Sequence, residues 1–206
     1  MSGDVRVTAS LGSRPITAVC AAGQEPLARD LLETCARIHA SEPLTAGSRI
    51  RFGWSPLTLR DEGDGLIVCE PDFDRNPVAD LRPRVATTLA VLLQQISVAM
   101  RVGAEPADVA FDDDVIARRG AIESPHIGLY REAPEPGDSG WRVMAADMAP
   151  STDPADFEVL PAYALLRRRP TLVALLGLPP ENGVEVTGER VLHVYDPTGA
   201  DVWTRQ

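Results

Sequence analysis

The sequence predicts an α+β fold. Two long segments, Pro26–His39 and Pro83–Val102, carry apolar residues at helical spacing. Around them stand short runs rich in β-branched residues, and two pairs of those runs fold back as hairpins, so antiparallel sheet segments are expected beside the two main helices. A chain of 206 residues with 44% hydrophobic and 24% charged residues builds a real core, as one large domain or two small ones. Disorder is excluded, because it requires low hydrophobicity together with a dominant net charge.

In chain order, Met1–Arg14 is polar and reads as a loose terminus. Pro15–Cys20 reads as a strand ended near Gly23. Pro26 opens the first helix, since proline suits the first helical position, and Leu27, Leu31, Cys35 and Ile38 form its apolar face. Arg49–Leu59 reads as a strand with Ile50, Phe52 and Trp54 on one face. It returns through a five-residue turn, Asp61–Gly65, into Leu66–Cys69. The second helix has Val85, Leu89, Leu92, Leu93, Ile96 and Met100 on one face, with Pro83 at its start and Gly103 at its end. Asp112, Asp113 and Asp114 are expected to cap a short helix over Val115–Arg119 that Gly120 closes.

His126–Tyr130 and Gly140–Met144 then read as strands flanking the loop Ala133–Asp138. Leu160–Leu166 and Leu172–Leu176 read as short helices, and Val184–Val186 with Arg190–Tyr195 as a closing hairpin. A change of character near Gly120–Pro125 suggests an N-terminal α+β portion, residues 1–122, followed by a smaller portion, residues 123–206.

The formal charge of −10 is unevenly placed. Gly103–Glu158 holds 13 acids and 4 arginines, a net of −9, while the remainder of the chain is close to neutral. Every basic residue other than histidine is arginine. An acidic chain without a basic stripe is a poor ligand for nucleic acid and for anionic membranes, whose binding depends on neutralising phosphate. A basic protein partner suits it, because opposite fields speed encounter and select against wrong partners. A solvated acidic face that keeps the protein soluble is the plainer reading of the same charge. The longest apolar run, Val85–Met100, is interrupted by Thr87, Thr88, Gln94, Gln95 and Ser97 and is too short to span a bilayer. Met1–Ser10 lacks the apolar stretch of a secretory signal. Cys20, Cys35 and Cys69, odd in number and irregular in spacing, fit reduced thiols, and a cytoplasmic location is expected.

Catalytic patterns are missing from the sequence. It contains no phosphate-binding glycine loop and no nucleophile elbow. His39, His126 and His193 do not form a metal pattern, and His193 reads as a strand residue. Asp112–Asp114 lacks the alternate spacing, glycine turn and distal glutamate of a calcium loop. No cofactor and no metal are expected. Arg167-Arg168-Arg169 reads as a solvated helix end, though it could also pair with a partner's carboxylates or with the acidic middle segment. Trp54 and Trp141 are residues of a core, or interface anchors if exposed.

At Asp138-Ser139-Gly140-Trp141 the chain resembles a bacterial immunity-protein domain found beside polymorphic toxins, the thirty-third of the immunity families, over about residues 127–194. The supporting features run in order. They are a strand at Ile127–Arg131, the Asp-Ser-Gly-Trp run with its apolar strand, and acidic turns at Ala146–Met148 and Ser151–Glu158. Leu175–Pro179 and the hairpin Val184–Tyr195 complete the set. Ala146-Asp147-Met148 stands where the family usually carries Gly-Asp-Glu.

The resemblance implies a non-enzymatic inhibitor that binds a cognate toxin. Charge and loop placement nominate Asp112, Asp113, Asp114, Asp138, Asp147, Asp153 and Asp156, with Trp141, as partner-binding candidates on one acidic surface. Two other functions are compatible with the sequence. One is an accessory interaction or scaffold protein of another bacterial system without a toxin partner. The other is an enzyme of unrecognised type, with His126 or His193 in a deep pocket beside a carboxylate and a nucleophile.

Overall fold

The computed structural model describes residues 3–203. Met1 and Ser2, part of the expected loose terminus, lie outside the described residues, as do residues 204–206. The elements in chain order are β1 (Asp4–Leu11), β2 (Arg14–Ala21), α1 (Glu25–Ser41), β3 (Arg49–Phe52), β4 (Ser55–Glu62), β5 (Gly65–Pro71), β6 (Leu81–Arg82) and α2 (Ala86–Arg101). They continue with β7 (Asp114–Arg118), β8 (His126–Arg131), β9 (Asp138–Ala145), β10 (Phe157–Pro161), α3 (Leu165–Arg168), α4 (Pro170–Leu175), β11 (Gly183–Thr187) and β12 (Arg190–Tyr195). The fold is α+β, with two sheets and four α-helices among the described residues. The chain forms two compact units that divide between Leu92 and Leu93, inside α2, whereas the sequence reading set its boundary at 122/123. No helix among the described residues is long and apolar enough to cross a membrane.

The first unit is built on a sheet ordered β1-β2-β5-β4-β3, with β6 added to β5. Its first strand corrects the expected loose terminus. Val5, Val7 and Ala9 alternate with Arg6, Thr8 and Ser10, and β1 pairs with β2 along its whole length. Strands β2 and β5 run parallel, through Ile16↔Leu66 and Thr17↔Ile67. Helix α1 buries Ala28, Leu31, Leu32 and Cys35 in one cluster with Ile16, Ala18, Leu57, Leu59 and Val68. The Arg49–Leu59 strand is interrupted: Gly53 and Trp54 form a turn between β3 and β4, and Trp54 is buried against Phe73, ring centroids 5.4 Å apart. The β4–β5 hairpin is tighter than expected, because Glu62 pairs with Gly65 and leaves only Gly63-Asp64 in the loop.

All three cysteines are free and buried. Burial pushes each thiol upward, Cys35 to about 11. Helix α2 begins three residues after Pro83, on the buried carboxylate of Glu70. That group accepts from the backbone N–H of Thr87 (3.2 Å) and Thr88 (2.7 Å) and from Arg82 Nε (3.0 Å). An acceptor here satisfies amides that have no partner within the helix, and burial pushes the Glu70 carboxyl upward against the opposing pull of those amides and Arg82.

The second unit carries a sheet ordered β10-β7-β9-β8-β11-β12. Only β7 and β9 are parallel within it; the other neighbours are antiparallel. Val115, Ala117, Ile127, Leu129, Trp141, Val143, Val184, Val186 and Val194 are buried on one face. Leu165 of α3 and Leu172, Val173 and Leu175 of α4 are buried as well, and Trp141 Nε1 reaches past them to donate to the carbonyl of Leu176 (3.0 Å). The later part of α2 belongs to the same packing: Gln95 Nε2 donates to the Val173 carbonyl (3.2 Å). A side chain at Gly177 would meet Gln95 Cβ at 2.8 Å.

Two expected helices are corrected here. Val115–Arg119 is not a capped helix but strand β7, whose Val115 and Ala117 point inward while Asp114 and Ile116 point outward. The Leu160–Leu166 segment begins as strand β10 and turns helical only after Pro161.

Candidate functional site

The Asp138–Trp141 run builds a bulge at the start of β9. Gly140 has φ +79°, and a Cβ there would collide with the carbonyl oxygen of Glu132. The kink lets a residue reach four positions along a strand. Asp138 accepts from the Gly140 N–H (2.8 Å) and from both terminal nitrogens of Arg142 (2.9 and 3.1 Å). Ser139 Oγ donates to the Asp114 carbonyl (2.7 Å) and accepts from the Trp141 N–H (3.2 Å), locking β9 to β7. The Arg142 hydrogen bond holds the Asp138 carboxyl below its ordinary value, and burial only partly opposes it.

Trp141 is fully buried, so it belongs to the core and is removed from the partner-facing candidates. Beside it lies Arg131, equally buried. Its guanidinium donates to the carbonyls of Ser139 (3.0 Å), Asp108 (2.9 Å), Leu176 (3.3 Å) and, in a short bond, Leu178. Desolvation lowers the Arg131 pKa.

The seven acidic candidates do not form one surface. Asp114 and Asp138 are register neighbours at the starting end of β7 and β9, with Asp112 exposed beside them. Asp113 turns back to accept from the Ala110 N–H (2.7 Å). Asp147, Asp153 and Asp156 lie beyond the finishing ends of the same strands: Arg118 of β7 pairs with Phe157, and Asp147 follows Ala145. There Asp156 is paired with Arg118 (3.2 Å), and Asp153 accepts from the Ala155 N–H (2.9 Å). The starting end is the denser group. Glu132 and Glu135 of the β8–β9 loop join Asp112, Asp114 and Asp138 there, with Arg142 salt-bridged to Glu132 (2.9 Å) and Asp138. We refer to it as the acidic corner.

Two arginines of the triplet, Arg168 and Arg169, are spent internally. Arg168 bridges Glu123 (2.6 Å) and Glu158 (2.9 Å) of the acidic segment, which raises its pKa. Arg169 is buried and donates to the carbonyls of Ile122 (3.0 Å) and Ser124 (2.6 Å). Arg168 and Arg169 therefore clamp this chain's own acidic segment, where a solvated helix end was expected.

Sequence reasoning missed the outward face of the second sheet. Tyr130 (48% exposed), Met144 (38%), Val159 (61%) and Leu192 (37%) stand on it from four strands. A depression of about 340 Å³ is lined by His126, Gly128, Met144, Glu185, Thr187 and Leu192. The available signal was a tyrosine and a methionine at the outward positions of strands whose inward positions were already apolar.

His126 Nδ1 lies 2.9 Å from Thr187 Oγ1 in that depression. On β12, the strand at the end of the sheet, His193 Nδ1 lies 2.7 Å from the Asp201 carboxylate. Among the described residues no further hydrogen bond orients the His126 ring, so the histidine, carboxylate and nucleophile that hydrolytic chemistry requires are not assembled around it. No three His, Cys, Asp or Glu side chains converge as metal ligands among the described residues.

No curated protein and no solved structure matches the chain. A family model does, and it reaches well upstream of the resemblance expected over residues 127–194. It takes in the later part of α2 and strand β7, which the packing of the second unit also joins. Its match to residues 94–204, more than half of the chain, makes this protein a member of the Imm33-like domain family, an immunity-protein-type domain.

Proposed function

We propose that the protein is a non-enzymatic, immunity-type inhibitor that occludes a cognate bacterial toxin. The observation that carries this reading is the Imm33-like domain over residues 94–204. Its geometry suits occlusion: a rigid sheet packed on one face, with the other face exposed and the acidic corner at one end. A basic toxin surface would be drawn to the carboxylates of Asp112, Asp114, Glu132, Glu135 and Asp138, of which, among the described residues, only Glu132 and Asp138 share a cation, Arg142.

The test is co-expression with the product of the adjacent toxin-like gene, together with calorimetry on the purified pair. Protection of the cell and binding that weakens as salt rises are expected. No heat and no protection would remove the reading, while binding without protection would favour a scaffold or accessory role.

A further inference from the structure

We infer that the outward face of the second sheet, centred on Met144 and Tyr130, is the surface that meets the partner. The partner surface that fits is apolar at its centre and basic along one side. The inference rests on the proposed inhibitory function and names the footprint through which it works.

The first argument is apolar exposure. Four of the seven large hydrophobic side chains that are exposed among the described residues, Tyr130, Met144, Val159 and Leu192, lie on this one face. Scattered exposed hydrophobes need no explanation, but several on one sheet face do.

The second argument is charge. The arginines that point outward from the middle strands are already neutralised. Arg118 is held by Asp156, and Arg142 by Glu132 and Asp138. Asp114 and, across the sheet, Glu185 have no cationic partner among the described residues, and Glu185 accepts only from the Tyr195 hydroxyl (3.2 Å). At the opposite end Arg119 donates to the carbonyl of Ala155 (2.8 Å). The face therefore carries carboxylates without a cation beside neutralised arginines, and with the acidic corner along one side it calls for cations.

The third argument is area. Six strands at about 4.8 Å spacing and about five residues at about 3.3 Å each give a plane of roughly 24 by 16 Å, or about 400 Å². A standard interface uses about 800 Å² per partner. The sheet face alone is half of that, and the adjoining acidic corner supplies the natural extension.

The experiment uses the whole chain and the purified product of the adjacent gene. Met144→Glu and Leu192→Glu change exposed side chains on the face, and a joint Asp112→Arg, Asp114→Arg variant reverses the corner. Circular dichroism melts confirm that each folds. Hydroxyl-radical footprinting of Met144 and Tyr130, free and in complex, gives a second readout that needs no substitution. The expected results are a loss of about 30-fold or more in affinity for Met144→Glu, which is the scale of a central anchor, and protection of Met144 and Tyr130 in the complex.

Face variants that bind like the original chain, with the corner variant alone failing to bind, would overturn the footprint and leave the inhibitory function standing. No binding by the original chain would overturn both. A concentration-dependent dimer abolished by Met144→Glu would assign the face to a second copy and likewise overturn the inference.

Discussion

Arg131 and Trp141 share an acceptor. Arg131 Nη1 and Trp141 Nε1 both donate to the carbonyl of Leu176, at 3.3 and 3.0 Å, and the guanidinium carbon lies 5.9 Å from the indole centre. Through that carbonyl, β8 and β9 are tied to the turn that follows α4.

Removing either partner should be costly. Trp141→Ala empties a fully buried site and is expected to lose about 3–5 kcal/mol of stability. Arg131→Leu leaves the carbonyls of Asp108, Ser139 and Leu178 without their donor and is expected to lose about 3 kcal/mol or more. Trp141→Phe, which keeps the ring volume and gives up one hydrogen bond, should fall well below both. Urea unfolding curves measure all three.

Gly140→Ala is expected to be more damaging than alanine at Gly137, although both glycines have positive φ, +79° and +82°. Nothing lies near a Cβ at Gly137, whereas at Gly140 it would strike the Glu132 carbonyl. Gly137→Ala should cost about 1 kcal/mol of conformational strain. Gly140→Ala should exceed it by at least 1 kcal/mol more, because the backbone of the bulge must move. A comparison of thermal midpoints decides the order.

Asp138 makes stability depend on acid. Its folded carboxyl titrates below the ordinary value of 3.8, held down first by the Arg142 hydrogen bond. The stabilisation it provides is complete above the unfolded value and is lost as pH falls through the folded one. Asp138→Asn should lower stability at neutral pH by about 1 kcal/mol, and the difference from the original chain should shrink toward pH 2. A urea midpoint that falls equally for both chains between pH 6 and pH 2 would contradict this.

Glu70 holds the start of α2. Glu70→Ala removes the acceptor of the Thr87 and Thr88 amides and leaves the partly buried Arg82 with only one of its two carboxylates, the exposed Asp74 (2.6 Å). A loss of about 3 kcal/mol is expected by chemical denaturation. Glu70→Gln keeps an acceptor and should lose less.

The sequence reading recovered the elements whose signal is local. Helix α2 was legible from six apolar residues at helical spacing, and the β11–β12 hairpin from its turn residues. Strand β1 was hidden because its outward positions are Arg6, Thr8 and Ser10, which make an alternating strand look like a polar terminus. Strand β7 was hidden because three aspartates suggest a helix cap, while the alternation of Val115 and Ala117 that contradicts it spans only five residues.

The division of the expected acidic surface has a different reason. Asp114 and Asp138 become neighbours, and Asp147 and Asp156 are carried to the far end, through a parallel pairing of β7 with β9 that no local pattern encodes. Trp141 was ambiguous for the same reason: which side of a strand faces the helices is decided by what packs there.

Because Cys20, Cys35 and Cys69 are all buried and burial raises their thiols, the folded chain offers alkylating reagents very little thiolate. A single cysteine introduced at an exposed site such as Thr152 would then outpace the native ones, so a fluorophore could be attached at one chosen position without first deleting any natural residue.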